Sequence, residues 1–183
     1  MATRRVVGAR ARCGLIAVLV SLLSACAGYG GQGFTLGHST VADVERMIGA
    51  PAMHWQAENG EQVRVYPRGP MGFHTWMLRS DASGRLLSQE NVLDPRHFAR
   101  IAPGMDELAV LQLLGPPIPA WTVYFSARDE RVWEWRYCDD WGEPARFNVL
   151  FDGTTRRVRS TLAASESQRG LSGHDQRRAW CHR

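Results

Sequence analysis

The sequence predicts an α+β fold with two tandem units, each a short helix (or helix pair) packed on a three- to four-stranded antiparallel sheet. Three observations lead to this prediction. A motif typical of a capped helix occurs twice, and strand-like runs follow each copy. The stretch between the polar chain ends, about 130 residues, suffices for one ordinary domain or two small ones.

The repeated motif carries the start and stop signals of a helix. Each copy has a residue whose side-chain oxygen can accept hydrogen bonds from the free N–H groups of the first turn. Each copy ends with a glycine suited to a left-handed C′ position and a proline that prevents the helix from continuing. These residues are Thr40, Gly49 and Pro51 in residues 36–51, and Asp106, Gly115 and Pro117 in residues 100–117.

An apolar stripe on one side of each motif predicts which side of the helix is buried. The stripes are Val41, Val44 and Ile48 in the first copy, and Leu108, Leu111 and Leu114 in the second. Neither copy contains a nucleophile, a pair of metal ligands or a phosphate-binding loop, so the role of the motif is expected to be structural.

Strand-like runs follow each helix motif. They are residues 53–56, 61–67, 73–80 and 85–93 in the first unit, and 120–125, 131–137, 146–152 and 157–163 in the second. The run VWEWRY alternates with a period of two, so Trp133, Trp135 and Tyr137 are expected on one face of a sheet. Glu134 and Arg136 are expected on the other face.

The N-terminus has the pattern of a lipoprotein signal peptide. Four Arg precede an apolar run of 13 residues, which is too short to span a bilayer as a helix. The run ends in Leu23-Ser24-Ala25-Cys26, which resembles the bacterial lipobox, so lipidation is expected on Cys26. The alternatives are an ordinary cleaved signal with an incidental Cys, or an uncleaved anchor.

The chain is therefore divided into five segments. These are a lipoprotein signal peptide (1–25), a lipidated flexible tether (26–33), a first α+β repeat (34–97), a second α+β repeat (98–164) and a polar C-terminal tail (165–183). Residues 94–101 are expected to form a short helix or turn that joins the two repeats.

The positive charge of the chain is concentrated in the signal peptide. The 22 basic residues are all Arg, and together with 18 acidic residues they give a formal net charge of +4. Four Arg precede the apolar run and all acidic residues follow Cys26, so the mature chain has 18 side chains of each sign. Because nucleic-acid binding depends on a surplus of positive charge, no nucleic-acid partner is expected.

Two cysteines remain once Cys13 is removed with the signal and Cys26 carries lipid. In an oxidising periplasm Cys138 and Cys181 can form a disulfide. It would close a loop of about 44 residues and add about 4 kcal/mol in the chain-entropy model. The alternative is a buried free Cys138 and a free Cys181 in a loose tail.

The second copy of the motif, PGMDELAVLQLLGPP, is followed by aromatic-rich strands and an FDG turn, and it resembles the SmpA/OmlA lipoprotein family. These are small lipoproteins of the outer-membrane β-barrel assembly machinery. The resemblance covers most of residues 98–164 and, more loosely, residues 34–93. It implies helices packed on an antiparallel sheet, a unit that is similar to the tandem units of β-lactamase inhibitory proteins. His38 stands where the second copy has Gly104, which departs from the family pattern.

Polar groups that could suggest chemistry have a structural interpretation beside the functional one. His38 and Ser39 resemble half of a nucleophile–base pair, but no third residue is placed to orient the His, so a turn is favoured. The other two groups are His174, Cys181 and His182, which lack the paired spacing of a zinc site, and Asp139, Asp140 and Glu143, which fit a hairpin loop. No catalytic residue, metal site or cofactor is predicted.

Aromatic residues are the remaining candidates for binding. The chain has seven Trp, a residue favoured at binding hot spots. Those at strand positions, Trp55, Trp121, Trp133 and Trp135, are expected in the core. The loop at 66–76 and the loop DDWGEP are expected to present contact residues for a partner, namely Arg68, Phe73, Trp76 and Trp141.

The sequence therefore predicts an outer-membrane lipoprotein that faces the periplasm and is not an enzyme. Ala27 follows Cys26, and resemblance to known lipoproteins associates Asp at that position with retention in the inner membrane. The expected role is a scaffold or accessory binding module in outer-membrane protein assembly or envelope integrity, with a partner in the β-barrel assembly machinery or another envelope protein. The alternatives are an inhibitor or sensor that binds a periplasmic enzyme, and an enzyme whose site has no recognisable motif.

Overall fold

A computed structural model describes residues 33–171 and Cys181, which belong to one compact unit, Gly33–Arg183. It contains two four-stranded antiparallel sheets in which the strands follow chain order. The predicted α+β class with two units is therefore confirmed. The signal peptide, Cys26 and nearly all of the tether lie outside the described residues, as do His174 and His182.

The first unit has one helix and four strands. They are α1 (Val41–Ile48), β1 (Met53–Gln56), β2 (Gln62–Pro67), β3 (Thr75–Ser80) and β4 (Leu86–Asn91). Each strand lies within its predicted run, because the alternation of apolar and polar residues and the Gly-containing turns mark the strand ends well.

The second unit repeats this order and adds one helical turn before it. The elements are α2 (Pro95–Phe98), α3 (Glu107–Leu114), β5 (Val123–Phe125), β6 (Glu130–Cys138), β7 (Pro144–Asp152) and β8 (Val158–Ser165). The predicted strand at 120–125 is shorter than expected, since Pro119–Trp121 forms a 3₁₀ turn. A second 3₁₀ turn, Ser126–Arg128, follows β5.

The predicted N-caps of both long helices are confirmed. Thr40 accepts a hydrogen bond from the backbone N–H of Asp43 through Oγ1 at 3.3 Å, and the Asp43 carboxylate accepts one from the Thr40 N–H at 2.9 Å. This reciprocal pair is a capping box. In the second copy Asp106 accepts from the Ala109 N–H at 2.8 Å.

The glycines that end both helices have positive φ, as predicted, but not the left-handed helical conformation. Gly49 has φ 86° and ψ −171°, and Gly115 has φ 72° and ψ −175°. Only glycine adopts this combination of positive φ and extended ψ without strain. The chain therefore leaves each helix in an extended direction, towards the following strands.

Each unit contains an equivalent contact between an Arg and the turn before its helix, which alignment of the sequence did not reveal. The Arg85 guanidinium donates to the Gly37 carbonyl at 2.8 Å, and Arg157 donates to the Gly104 carbonyl at 3.1 Å. The N–H groups of these glycines donate in turn to Leu86 and Val158. Gly37 is thus the structural counterpart of Gly104, and aligning His38 with Gly104 was wrong because the first turn is one residue longer.

Helix α1 covers the first sheet from outside. Its Val44 is fully buried and packs with Tyr66, Leu78 and Leu86, which lie on one face of that sheet. The adjacent residues Met47, Glu45 and Arg46 are exposed, so the helix is amphipathic, as its stripe predicts.

Helix α3 lies between the two sheets. On one side Val110 and Leu114 pack in the same core as Trp133 and Trp135 of the second sheet. On the other side Gly115 meets the first sheet, since a methyl group built on it would lie 2.6 Å from Val65 Cγ1. Val65 points away from α1, because its neighbour Tyr66 points towards it. The layers are therefore helix, sheet, helix, sheet.

The position of α3 explains its composition. Six of its eight residues are Leu, Val or Ala, and a helix with apolar residues around most of its surface is one that is buried on more than one side. The predicted stripe was wrong in one member: Leu108 is exposed, and Val110 takes its place in the core. None of the helices in the described residues is long and apolar enough to cross a membrane.

Helix α2 covers the rest of the inner face of the second sheet. The Phe98 ring stacks on Phe147 with 3.9 Å between centroids and meets Tyr137 edge-on at 4.8 Å. Asp94 caps this turn by accepting from the His97 N–H at 3.0 Å. The turn spans the expected boundary between the repeats and packs on the second sheet.

The close approach at Gly115 gives a matched pair of substitutions. Gly115→Ala combines backbone strain of about 1–3 kcal/mol with overpacking of about 1–3 kcal/mol against Val65. Gly49→Ala introduces the same strain with nothing within 4 Å of the new methyl group. We expect the first variant to lose clearly more stability in urea unfolding, and equal losses would contradict the placement of α3 between the sheets.

Candidate functional site

The second sheet has one face that no helix of the described residues covers. Trp133, Trp135 and Tyr137 point towards the helices, so the residues between them point away. Strand register places residues of this face in three rows. The rows, which we call the outer face, are Val123, Val132, Leu150 and Ser160; Glu134, Asn148 and Leu162; and Arg136, Arg146 and Ala164.

One part of the outer face is apolar and exposed to solvent. Val123 is 43% exposed and Leu162 is 57% exposed, and Val132 and Leu150 lie half-buried on the strands between them. Phe125, two residues after Val123 on the same face, lies under the Arg128 guanidinium at 4.7 Å from the ring centroid. Contiguous apolar surface of this kind is typical of an interaction site.

The opposite end of the outer face is held by a buried ion pair. Glu166, directly after β8, has a side chain that is only 3% exposed. It accepts hydrogen bonds from Arg136 Nε at 2.7 Å and Nη2 at 2.8 Å, and from Arg146 Nε at 2.6 Å. The paired bonds from Arg136 form a bidentate contact, which fixes both side chains in orientation.

Further charges and one ring complete this network. Arg146 also donates to Glu134, which accepts a second bond from Arg169 at 2.9 Å. The Arg146 guanidinium lies 3.5 Å from the centroid of the Trp121 ring, in a cation–π contact. Glu134 and Arg136 were predicted on this face. Glu166 was assigned to a polar tail, and no pattern in the sequence pointed to its burial.

The predicted loop at 66–76 adjoins the outer face through Arg136. Arg136 Nη1 donates to the Pro70 carbonyl at 3.3 Å, and its guanidinium lies 4.5 Å from the centroid of the Phe73 ring. Phe73 is buried, so it supports the loop from inside and does not face solvent as a contact residue. Arg68 and Met71 are exposed.

Trp76 also lies inward. It is half-buried, packs against the core beneath α1 and stacks with His74 at 5.4 Å between centroids. Burial and the charge of Arg68 lower the pKa of His74. Trp76 therefore contributes to the first unit's core. Trp55 is half-buried against the core on the other face of the first sheet. Trp121 was predicted in the core, but it lies half-buried in the second unit, where its ring meets Arg146 of the outer face.

Trp141 is the most exposed of the predicted contact residues. It lies in the β6–β7 hairpin loop and is 89% exposed. Asp139 shapes this loop by accepting hydrogen bonds from the backbone N–H groups of Trp141 at 2.9 Å and Glu143 at 2.8 Å. The structural interpretation of the acidic group thus fits its geometry. Because Arg136 lies two residues before the end of β6, both predicted loops flank the same end of the outer face.

The other polar groups have structural partners. Cys138 and Cys181 are joined by a disulfide, so Cys181 offers no thiolate to a metal ion. Ser39 Oγ accepts from the Thr35 N–H at 2.9 Å within the turn before α1. Within residues 33–171 and Cys181 there is no group of three His, Cys, Asp or Glu side chains arranged to hold a metal ion.

Comparison of the chain with protein-family models, with curated proteins and with solved structures found no match. The resemblance to the SmpA/OmlA family therefore remains an expectation that rests on the helix motif and the strands after it.

The ionisation of Glu166 makes the stability of the fold depend on pH. Burial raises the pKa of this carboxyl, but the hydrogen bonds and charges of Arg136 and Arg146 outweigh it, and the pKa lies below the usual 4.5. A lowered pKa in the folded state means that the charged form stabilises the fold at neutral pH. This contribution is lost as pH falls below about 4.5 and through the folded-state pKa.

We expect Glu166→Gln to reduce the free energy of unfolding at pH 7 by about 3 kcal/mol, since it removes the carboxylate bound by Arg136 and one of the two carboxylates bound by Arg146. The difference from the wild type should shrink as pH falls below 4.5, when Glu166 itself becomes protonated. Urea unfolding at several pH values measures this. Glu58→Gln, at an exposed loop carboxylate, is the control and should change little. A difference that is independent of pH would contradict the charged pairing.

Proposed function

We propose that the protein is an outer-membrane lipoprotein of the SmpA/OmlA type, anchored through lipid on Cys26 and facing the periplasm. In this proposal it is not an enzyme, and it acts as a scaffold or accessory module that binds a protein of the β-barrel assembly machinery or another envelope protein. The observation that carries the proposal is the outer face of the second sheet, which no α-helix of the described residues covers, with the largely apolar row of Val123, Val132 and Leu150 beside a fixed Arg–Glu network.

The shape of this surface favours a protein partner. Small-molecule sites are concave and enclose most of the ligand, whereas the outer face is an open sheet. Exposed Val123, Phe125 and Leu162 offer apolar contact area, and Trp141 at the flanking hairpin is a residue type enriched at binding hot spots. The Arg–Glu network already holds its side chains in place, so these side chains lose less conformational entropy when a partner binds.

The proposed location accords with the chemistry of the mature chain. A disulfide between Cys138 and Cys181 persists in an oxidising compartment such as the periplasm. The balanced charge after Cys26 gives no reason to invoke nucleic acid.

An inhibitor or sensor of a periplasmic enzyme is the second candidate. The feature that favours it is Trp141, which is almost fully exposed at the tip of a hairpin that Asp139 holds in shape. A rigid hairpin with an aromatic tip is suited to insertion into a partner's cleft. The two candidates share a surface and differ in the partner.

Site-specific photo-crosslinking tests the proposal in native membranes. A benzophenone amino acid is placed at Val123 on the outer face and, as a control, at Leu87 on β4 of the first unit, since both side chains are 43% exposed. We expect position 123 to capture an envelope assembly protein and position 87 to capture none. Cys26→Ala, which removes the lipid, should abolish capture.

The outcomes separate the candidates. Capture of one soluble periplasmic enzyme at positions 123 and 141 would favour the inhibitor and overturn the assembly role. Equal capture at positions 87 and 123, or no capture at either, would contradict the outer face as the binding surface.

A further inference from the structure

The second sheet ends in a long exposed edge strand. β8 has eight residues, and residues 159–163 are all exposed. Among the described residues, 159–164 make no backbone–backbone hydrogen bond outside the ladder with β7, and the Leu162 carbonyl also accepts from Asn148 Nδ2 of β7 at 3.5 Å. An edge strand directs alternate N–H and C=O groups away from its neighbour, so β8 presents a row of such groups that can pair with another strand.

Two features protect the start of β8: a β-bulge at Arg159, since Phe151 pairs with Val158 and Leu150 with Ser160, and the backbone hydrogen bonds of Val158 with Gly104 and Met105. The rest of the strand lacks the features that usually protect an edge. Its sequence, VRSTLAAS, has no Pro or Lys and a single charged side chain, Arg159, whose Nη2 is held by Asp152 Oδ2 at 2.6 Å. The opposite edge of the same sheet is protected differently, since β5 has only three residues and lies between two 3₁₀ turns. Long, nearly uncharged edges of the β8 kind are prone to pair with a further strand.

We propose that β8 of a second copy of this chain pairs with β8 in antiparallel register. The two-fold axis would lie midway between the two copies of Leu162. The two four-stranded sheets would then form one continuous sheet of eight strands. The interface is isologous, as is usual for two-fold dimers: the same strand is used by both copies.

The register follows from the side chains of β8. Residues directly opposite each other in a ladder point to the same face of the sheet. A two-fold axis perpendicular to the sheet must therefore lie midway between the two copies of one residue, which we call the axis at that residue. An axis at Leu162 sets Leu162 against its own copy, Ser160 against Ala164 and Arg159 against Ser165. The apolar Leu162 side chain then meets its own copy, the small side chains of Ser160 and Ala164 meet each other, and the two Arg159 side chains do not meet.

Neighbouring registers are less favourable. An axis at Thr161 places exposed Leu162 opposite Ser160, so its apolar side chain loses its match. An axis at Ala163 places Leu162 opposite Ala164, so the two Leu162 side chains do not meet. Only the register at Leu162 sets the two copies of the most exposed apolar side chain of the strand against each other.

Pairing would join the outer faces of the two copies. Leu162 lies in the same row as Asn148 and Glu134, so the seam continues the rows of each sheet into the next. The apolar part of one copy would then be continuous with that of the other. This inference rests on the edge strand and does not depend on which partner the outer face binds.

Cysteine crosslinking of the full lipidated chain in membranes tests the register. Under mild oxidation we expect Leu162→Cys to form a covalent dimer, because the two side chains lie directly opposite each other. Ser160→Cys, on the same strand and face, is the matched control: its two copies would lie about 13 Å apart along the strands. The double variant Ser160→Cys/Ala164→Cys should crosslink again. Equal crosslinking of both single variants, or none of Leu162→Cys, would overturn the proposal.

Charge substitutions at the same position test the dimer in detergent solution. Sedimentation should give the mass of two copies for the wild type and of one copy for Leu162→Lys, in which like charges would lie opposite each other. Leu162→Glu alone should also be monomeric, and mixing it with Leu162→Lys should restore the dimer. Because Leu162 is 57% exposed, these variants are expected to fold, which circular dichroism checks. A wild type that is monomeric throughout, or variants that stay dimeric, would overturn the proposal.

Discussion

The burial of α3 between the two sheets is the constraint on which the rest of the structure depends. Val110 and Leu114 pack into the core of the second sheet, while Gly115 allows the first sheet to approach to within a distance that a methyl group would block. One helix thus serves two sheets and joins two small units into one compact body. A unit of this size alone buries a smaller fraction of its surface, so a shared helix adds the contact area that each lacks.

Sharing α3 also creates the candidate binding surface. In a stack of helix, sheet, helix and sheet, both faces of the first sheet and one face of the second are covered. No α-helix of residues 33–171 covers the last face. Apolar side chains such as Val123 and Leu162 remain exposed there, and at one end the fixed contacts of Glu166 with Arg136 and Arg146 replace helix packing. The candidate site is therefore a consequence of the layer order. The strand β8 that borders it is an edge for a separate reason, since no further strand follows it in the order β5-β6-β7-β8 of the described sheet.

The two copies of the motif show how one local pattern serves two tertiary roles. In both helices the N-cap side chain accepts a hydrogen bond from the backbone N–H three residues later. Both also end at a glycine of similar conformation and have an Arg that binds the turn before the helix. Yet α1 has one buried side and α3 has two. Gly49 faces open space, whereas Gly115 faces Val65 and Thr75. The two copies therefore have the same signals for starting and ending a helix, but they differ in what packs against the C-terminal glycine.

Local signals in the sequence determined the elements: helix caps at Thr40 and Asp106, the period-two alternation around Trp133 and Trp135, and the strand ends. These depend on neighbouring residues, so a single sequence contains them. Only the tertiary structure decided which face each element buries, as Leu108 and Phe73 illustrate, because burial depends on what packs against an element. The pairing of Glu166 with Arg136, 30 residues away, was likewise out of reach. A charged residue in a polar stretch gives no sign that distant strands will enclose it.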